Sequence, residues 1–454
     1  MFGRIMITTN ETSVTEANVV KVLDSALLDF SRNKNDIIRL YNYYVGNQPI
    51  LDRKKNVREE INNKVVENRA HEIVSFWGGY IMGEPIQYVS RDGDETISAK
   101  ISELNTYMDI CDKHSEDVDL ADDVLICGAA YRMVLPRKYE YEESPFRIYT
   151  LDPRNTFVVY NSGIDNEPMM GVIITTNEDD DTVYCVYTKS EYFEIVGREI
   201  RKHEGHILGQ VPIVEYNTGK FRLGTFEIVI PLLDAINRCE SCRLDGVEQF
   251  VQSYLLLKGV DMEQEDFGKF KELGGIVVPA DGDARYITQE LNQTQSQVLV
   301  EHLYQTVLTV CGIPNRNGGL STSDTGTAVV LRDGWSEAES RAKNFELRFK
   351  RSERRFLSLV LNIVNIGGES DLSLQDIDIR FTRRNYENIQ GKAQVLTTLL
   401  ANSKIHPRLA FEHSGMFLDP NLAYEQSMKY YEEEQERMLK EMNEDGEGNN
   451  ETAS

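Results

Sequence analysis

Two pairs of side chains have spacings that occur in metal or redox sites. Cys239 and Cys242 form a Cys-x-x-Cys motif, and His203 and His206 lie three residues apart in the sequence HEGH. Structural zinc sites use a second cysteine or histidine pair, and zinc proteases space their helical histidines by four. Here the cysteine pair stands alone in a helical pattern, and the histidines lie between strand-like segments. We therefore predict buried thiols and a surface turn, with no metal, no cofactor and no catalytic residue.

Three further segments contain the residue types of ion or phosphate sites but not their spacing. The turn Asp92–Asp94 is too short for a calcium-binding loop, and Asp179–Asp181 is typical of a solvated hairpin tip. The glycine-containing segment Gly312–Thr325 lacks the lysine of a phosphate-binding loop and follows a helical pattern, not a strand. We interpret it as a mobile loop without nucleotide-binding chemistry.

The composition is that of a folded, strongly acidic protein. The chain has 454 residues with a net charge of −25, which is enough for two to four domains. A protein that wraps DNA needs a basic surface to neutralise phosphates, so this charge argues against that mode of binding. The sequence has no apolar run long enough to predict a membrane span. Its six scattered cysteines fit a reducing compartment, and we expect a cytoplasmic product.

The rest of the chain is organised around a long helix that we predict from Ser323 to Ile366, which acts as a strut and not as a pocket. Apolar residues recur there in steps of three and four, so one side of the helix is buried along its length. At 1.5 Å per residue it spans roughly 66 Å. Gly334 is the predicted kink, because glycine weakens a helix. The buried stripe is Leu331, Trp335, Ala338, Ala342, Phe345, Phe349, Ser352, Phe356, Leu359, Ile363 and Ile366.

The polar side of this helix carries an unexpected block of positive charge. Seven basic residues face Glu346 and Glu353 between positions 341 and 355, which gives 7 − 2 = +5. Two interpretations remain open: a face that is solvated or paired with acidic neighbours, and a face placed near nucleic acid or an acidic subunit edge. The basic residues are Arg341, Lys343, Arg348, Lys350, Arg351, Arg354 and Arg355.

The remaining periodicity predicts an α+β protein. Helical patterns come first, at 11–45, 62–82 and 101–128, and a β-rich meander follows between 129 and 214. Downstream we predict a helix at 225–258, a small α/β insert, a helix at 291–311, a strand at 374–381, helices from 387 to 442 and a disordered acidic tail from Asn443. The meander strands are predicted at 131–135, 146–150, 156–160, 170–176, 182–188, 192–196 and 211–216.

Several segments resemble, in this joint order, the portal proteins of tailed bacteriophages, in particular the siphophage-type group from phages of Gram-positive hosts. No segment alone is a catalytic signature, and together they extend over nearly the whole chain. They are Tyr43–Ile50 (YYVGNQPI), Asn62–Ile86, Leu151–Tyr160 (LDPRNTFVVY), Phe226–Ser241 (FEIVIPLLDAINRCES), Glu248–Gly259 and Ser321–Val330 (STSDTGTAVV).

The resemblance implies a structural protein and not an enzyme. Portal proteins form a ring of identical subunits, usually twelve, around a channel through which double-stranded DNA is packaged and later ejected. The implied partners are the terminase large subunit, a head-completion or adaptor protein, and the major capsid and scaffolding proteins. The implied location is the portal vertex of the virion, after assembly in the host cytoplasm.

The resemblance also implies a division of the chain into the parts of a portal subunit. The predicted fold has long stem and tunnel helices, a β-rich wing, a small α/β clip and a helical crown. The parts are the wing at 1–223 and 367–384, the stem helices at 224–258 and 291–311, the clip at 259–290, the tunnel loop at 312–325, the long kinked helix at 326–366, the crown at 385–442 and the disordered tail at 443–454.

Two groups of site residues follow from this division. The tunnel loop would line the narrowest part of the channel, with one charged group that can meet DNA, and an acidic wall would keep the duplex sliding by repulsion. The clip would dock the packaging motor. Two alternative functions stay open: a nucleic-acid-processing enzyme or motor subunit, and a capsid or tail scaffold without a channel. The loop residues are Asn315, Arg316, Asn317, Gly318, Gly319, Leu320, Ser321, Thr322 and Ser323, and the clip residues are Asp261, Glu263, Glu265, Lys269 and Lys271.

Overall fold

The chain divides into two compact units in a computed structural model. Unit 1 contains residues 1–38, 74–224 and 340–454, and unit 2 contains residues 39–73 and 225–339. The residues described are 3–56, 59–91, 95–139, 143–251, 254–258, 283–287, 293–315, 334–368, 371–382, 389–417 and 420–448.

Unit 1 is built around a six-stranded sheet covered by one helix. Its strands lie in the order β1-β5-β6-β7-β8-β9, antiparallel except for β1, which pairs in parallel with β5. Helix α1 (Val19–Tyr44) packs its apolar side on this sheet, and Phe30 stacks on Phe157 with ring centroids 4.4 Å apart. The strands are β1 Ile7–Thr9, β5 Thr156–Asn161, β6 Pro168–Thr176, β7 Thr182–Tyr187, β8 Glu191–Val196 and β9 Glu199–Gly205.

The predicted meander is present, with two additional strands. A turn was predicted at His203 and His206, but residues 199–205 pair with β8 as β9, so the turn interpretation was wrong for His203, which lies on a strand, whereas His206 follows the strand. The strand does not show apolar alternation because it is an edge strand rich in charged residues. Charged residues on an edge strand limit its pairing with other chains. Strand β1 was also missed, because it has only three residues.

A second, three-stranded sheet lies beside helix α4 in unit 1. Its order is β10-β3-β4, and all neighbours are antiparallel. The segment predicted as one helix at 101–128 is two helices, because Asp112 between them adopts a left-handed backbone with φ = 50°. The elements are α2 Arg69–Ile81, β2 Gln87–Ser90, α3 Glu95–Ile110, α4 Lys113–Cys127, β3 Ala129–Pro136, β4 Phe146–Leu151 and β10 Ile213–Asn217.

The helix predicted at 291–311 is present as α6, and the described part of the long helix predicted at 323–366 is α7. Helix α6 is Gln293–Cys311, and helix α7 is Trp335–Ile366. Along α7 the predicted stripe is buried at Ala338, Ala342 and Phe349, and also at Ser352, Phe356, Leu359 and Ile363, whereas Ile366 is exposed. The steps of three and four therefore identify the buried side correctly over most of α7.

The C-terminal part of unit 1 has one short strand and three helices. Strand β13 (Ile377–Arg380) pairs with β2, so the predicted strand near 374–381 joins residues of the N-terminal region. Helix α10 continues to Gly448, so residues 443–448 are helical and their assignment to a disordered tail was wrong. Pro407 and Pro420 are the first residues of two of these helices. These helices are α8 Ile389–Leu400, α9 Pro407–Ser414 and α10 Pro420–Gly448.

Unit 2 consists of two packed helices that continue into a two-stranded ribbon. Helix α5 (Ile230–Val251) leads into β11 (Tyr254–Lys258), and β12 (Asp283–Ile287) leads into α6. Since β11 and β12 are antiparallel, α5 and α6 run in opposite directions. The helix predicted at 225–258 is shorter than expected: a 3-10 turn at Glu227–Val229 precedes α5, and its end forms β11. The small α/β insert was predicted to contain strands at 255–260 and 275–279: β11 matches the first, and the second lies outside the described residues.

Candidate functional site

The α5–α6 pair of unit 2 is the best-defined candidate for a functional element. Leu233 and Ile236 of α5 and Val307 and Leu308 of α6 are buried, as expected for two helices that pack along their length. Pro231 lies in the first turn of α5, where it has no hydrogen bond to break. The pair is therefore a regular helical hairpin that presents its outer sides to solvent or to other chains.

Those outer sides carry large apolar residues that are exposed in the single chain. Isolated exposed apolar residues are normal, but several along one packed helix pair indicate a surface that another chain can cover. The exposed residues are Ile228, Leu244, Val247, Val298, Leu299 and Val310. This pattern favours packing of such hairpins side by side.

A row of polar residues on α5 holds an extended segment of unit 2. Asn237, Ser241 and Asp245 lie four residues apart, so they share one side of the helix. Their side-chain oxygens accept hydrogen bonds from the backbone N–H groups of Glu67, Val65 and Asn63, at 2.9, 2.9 and 2.8 Å respectively. Alternate N–H groups of the segment thus meet successive turns of α5.

Asp245 is also the centre of an ion-pair cluster. It is buried, and its Oδ2 lies 2.9 Å from the Lys55 Nζ and 3.0 Å from an Arg53 guanidinium nitrogen. A carboxylate with two cationic partners and a backbone donor fixes the segment more firmly than a single surface pair would. The basic segment predicted at 53–58 therefore has a structural role in unit 2.

Most of the predicted tunnel-loop and clip residues lie outside the described part of the chain. Among the loop residues the structure places Asn315 alone, just after α6, whereas Arg316–Ser323 are not described. All five clip residues lie between β11 and β12 and are likewise not described. They are Asp261, Glu263, Glu265, Lys269 and Lys271.

Gly334 is located at the boundary of α7 and not inside a continuous helix. Its φ is +86°, and its carbonyl accepts a hydrogen bond from the Ala338 N–H at 3.2 Å in the first turn. A residue with positive φ cannot belong to a straight α-helix, so an unbroken helix from Ser323 to Ile366 is excluded. A kink that joins two helical segments at Gly334 stays a prediction, because residues 316–333 are not described.

A buried charge network in unit 1 fixes the position of α7. This network was not predicted from the sequence. Glu353 of α7 lies 2.9 Å from the Lys113 Nζ and accepts hydrogen bonds from the hydroxyls of Tyr88 and Tyr216, at 2.5 and 2.6 Å. Asp117 pairs with Lys113 at 2.6 Å and with Arg132 at 2.6 Å. Two carboxylates thus balance two cations in a buried site, as such burial requires.

The environment of Glu353 keeps it ionised. Burial by itself raises the pKa of Glu353, but the charges of Lys113 and Arg132 and the hydrogen bonds from Lys113 and Tyr216 outweigh it, so the pKa lies below its usual range. Burial together with the charge of Glu353 raises the pKa of Tyr88, so that hydroxyl keeps its proton. The network is a fixed clamp between α7 and the elements that carry Tyr88, Lys113 and Arg132.

A second buried cluster lies under the N-terminal segment. Arg222 donates two hydrogen bonds to Glu215, at 2.5 and 3.1 Å, and the Tyr160 hydroxyl donates a third at 2.7 Å. Burial raises the pKa of Glu215, but Arg222 and these donors lower it further than burial raises it. The Ser352 hydroxyl of α7 donates to the Glu215 carbonyl at 2.8 Å, so the same helix is held at a second point.

Weak sequence signals for the network existed. Lys113 and Asp117 are four residues apart, Arg132 interrupts an apolar strand, and Glu353 stands in a basic block. Each pattern is common on protein surfaces, and their combination becomes informative only when the fold brings α4, β3 and α7 together. The one polar residue of the buried stripe, Ser352, was noted, but its partner Glu215 could not be identified.

The basic block of α7 divides into paired and solvent-exposed groups. Arg348 donates to the Thr218 carbonyl, and the half-buried Lys350 lies 5.8 Å from the centre of the Phe381 ring. Arg351, Arg354 and Arg355 are exposed and make no ion pair within the part of the chain that the structure describes. The block is therefore partly structural and partly an exposed cationic face.

The cysteine and histidine pairs make ordinary protein contacts in the described structure, and the prediction of buried thiols is wrong for Cys242. Cys242 is exposed and accepts a hydrogen bond from Arg53 at 3.3 Å, while burial and the nearby Cys242 raise the pKa of Cys239. His203 stacks on Phe193 and lies 3.1 Å from Glu191, and His206 lies 3.1 Å from the Thr188 carbonyl. Within the described ranges no three His, Cys, Asp or Glu side chains are grouped to hold a metal, and no helix has the length and apolarity to span a bilayer.

Comparisons with known proteins connect this architecture to one family. No curated protein matches the sequence. Two solved structures are similar at low identity: the neck of a native GTA particle computed with C12 symmetry (TM-score 0.47) and the neck of an empty GTA particle computed with C6 symmetry (TM-score 0.48). Each is 10% identical and covers 84% of this chain and 94% of its own. A family model described as "Phage portal protein, SPP1 Gp6-like" matches residues 27–448, so the chain belongs to the phage portal protein family.

Proposed function

We propose that this protein is the portal vertex protein of a tailed phage and forms the DNA channel of the capsid. The observation that carries the proposal is the family match over residues 27–448, which includes the whole α5–α6 hairpin. A ring, expected to have twelve identical subunits, packages double-stranded DNA and later releases it. The protein performs no chemistry of its own in this proposal.

Features of the described chain support this role. The exposed apolar residues of the hairpin, such as Leu244 and Val298, suit packing against the hairpins of neighbouring subunits. A head-to-tail interface of this kind closes into a ring when the rotation between subunits divides a full turn evenly. The net charge of −25 suits a channel that repels phosphates on every side.

The parts of the chain that meet DNA and partners follow from the same proposal. Residues 312–325 form the tunnel loop at the narrowest part of the channel, with Arg316 as its cation. Residues 259–290 form the clip, which docks the terminase large subunit and later a head-completion protein, and residues 385–442 form the crown. The capsid and scaffolding proteins surround the ring in the virion.

Negative-stain electron microscopy of the purified full-length chain tests the channel. We expect discs with a central hole, and a stable monomer at micromolar concentration contradicts the proposal. An ATP hydrolysis assay of the same sample distinguishes the channel from a motor enzyme. We expect no activity above that of a buffer blank, because the motor is a separate protein in this proposal.

Deletion of Asn315–Ser323 distinguishes a channel from a plain scaffold. Deletion of the loop leaves the described helices intact, so we expect discs of normal appearance and particles that fail to package or retain DNA. Deletion of an exposed hairpin tip of unit 1, Glu178–Asp181, is the control, and these particles should package normally. If both deletions package normally, the loop has no channel function.

A further inference from the structure

The exposed face of α7 has two properties that seldom occur together on a solvated helix. Leu347 is 68% exposed, and Arg351, Arg354 and Arg355 surround it without ion pairs in the described chain. With 3.6 residues per turn these residues and Ser358 fall within an arc of roughly 120°. Arginine next to an exposed apolar residue is typical of a protein interface more than of a surface that contacts phosphates alone.

Two cavities extend this face towards the C-terminal end of α7. One, of about 310 Å³, lies between Arg355 and Leu359 of α7 and the segment Gly209–Val214. The second, of about 330 Å³, shares Gly209 and Gln210 and is lined by Ser358, Leu361 and Asn362. The basic face therefore continues into a groove with room for side chains of a partner.

Helix α10 has the complementary properties. Between Tyr430 and Met438 it carries Glu432, Glu433, Glu434, Glu436 and one arginine, so its charge there is −4 + 1 = −3. Its large apolar side chains are also uncovered: Tyr430, Tyr431 and Met438 are 60%, 56% and 59% exposed. The stretch is about 12 Å long, against about 16 Å from Leu347 to Ser358 on α7.

We infer that the acidic stretch of α10 from one subunit docks on the basic face of α7 in the next subunit, beside a groove whose lining also includes Glu167, Lys189 and Glu215. This inference rests on the proposed ring. A ring built head to tail needs two different surfaces that fit each other, and these two are opposite in charge, similar in length and each supplied with exposed apolar side chains. Tyr430, Glu433 and Glu434 lie on one side of α10, so the tyrosine is the anchor for the groove and these two glutamates meet the arginines.

Charge reversal with rescue tests this pairing in the full-length chain. Sedimentation velocity and native mass spectrometry measure the ring fraction for wild type, R351E/R354E/R355E and E432K/E433K/E434K. We expect each triple variant to require at least about tenfold more protein for half-assembly, because opposed like charges disfavour the contact. The control R198E/R201E/K202E makes the same change of charge as the arginine variant, but on the exposed β8–β9 hairpin, and should assemble like wild type.

Rescue separates a specific pairing from damage to the fold. A chain with all six substitutions has the charges exchanged, and a mixture of the two triple variants offers each reversed surface a matching partner. We expect rings in both samples, which misfolded chains cannot form. If the triple variants assemble like wild type, or if neither exchange restores rings, the pairing is wrong.

Two other results have distinct meanings. Failure of the wild-type chain to form any ring refutes the proposed function itself. If R351E/R354E/R355E assembles normally but loses an affinity for double-stranded DNA that wild type shows, the face binds nucleic acid and the inference is overturned.

Discussion

Glu353 shows at the scale of one residue how a buried charge can determine the placement of a helix. Its carboxylate has four partners from other elements: the Lys113 ammonium, the Arg132 guanidinium at 3.7 Å, and two tyrosine hydroxyls. A buried ion pair adds little net stability compared with an apolar replacement, but it is costly to break. The network therefore serves mainly to select one position for α7.

Replacement of Glu353 tests this view. In Glu353→Gln the two cations keep Asp117 as their sole carboxylate, so we expect a loss of roughly 3–5 kcal/mol in the free energy of unfolding. Urea unfolding followed by circular dichroism measures it. Glu199→Gln, which removes a carboxylate from a surface pair on β9, should cost less than about 1 kcal/mol. Equal effects of both changes would mean that the network does not hold α7.

The lowered pKa of Glu215 predicts how the free energy of unfolding depends on pH. Its pKa is lowered in the folded protein, whereas an unfolded glutamate titrates near ~4.3. Its contribution to stability is therefore complete above about pH 4.3 and is lost as the pH falls through the lower folded pKa, because the unfolded chain takes up the proton first.

The comparison is between wild type and Glu215→Gln at several pH values. We expect a large difference in unfolding free energy at neutral pH that shrinks by at most about 1.4 kcal/mol per pH unit once the pH is below ~4. Glu199→Gln serves as the control, with a small difference throughout. A difference that stays constant down to pH 2.5 contradicts an ionised Glu215.

The polar row of α5 makes a prediction at the scale of one element. In Asp245→Ala the Asn63 N–H loses its acceptor and Lys55 and Arg53 lose their carboxylate. We expect hydrogen exchange at 63–67 to accelerate by about tenfold to a hundredfold, the equivalent of roughly 1.4–2.8 kcal/mol of local stability. Exchange in α4 of unit 1 should be unchanged.

Glu240→Ala is the matched control for this measurement. Glu240 is also on α5, but it forms an ion pair with Arg243 of the same helix, 2.7 Å away. We expect no change at 63–67 in this variant. If both variants accelerate exchange equally, the effect comes from a weaker α5 and not from loss of the docked segment.

Some helices and strands are predicted by their sequence patterns and others are not. Helix α7 is predicted because Ala338, Ala342 and Phe356 repeat at helical spacing, and this local pattern is the same in the folded chain. Strand β9 was missed because a charged edge strand has no apolar alternation. The break at Asp112 was missed because a left-handed residue leaves little trace in the sequence.

The candidate site likewise has features that the sequence predicts and features that it does not. The two helices of the hairpin could be predicted, because periodicity is a local signal, whereas their pairing was implied only by the family resemblance. The contacts of Asn237, Ser241 and Asp245 with residues more than 150 positions away could not, since polar residues at this spacing are typical of any solvated helix. Pairings between distant segments are determined by the fold as a whole.

At the scale of the whole molecule, charge determines how the protein can meet DNA. Non-specific binding comes from lysine and arginine residues that release counterions from phosphates, and it weakens steeply with salt. A chain with 49 basic and 74 acidic residues has the opposite balance. A channel with this charge can enclose a duplex without gripping it, because repulsion from all sides leaves the duplex free to slide.

Because of this charge, we expect the assembled wild-type protein to bind linear double-stranded DNA weakly from solution. We expect no mobility shift of a short duplex at micromolar protein in about 0.15 M salt. Ordinary non-specific binding has dissociation constants of about 10⁻⁴–10⁻⁶ M, and we expect the affinity to be at the weak end of this range or weaker. A basic DNA-binding domain on the same gel is the positive control. Submicromolar binding that falls steeply with salt would contradict a repulsive channel, because such a slope requires many phosphates neutralised at once by a cationic surface.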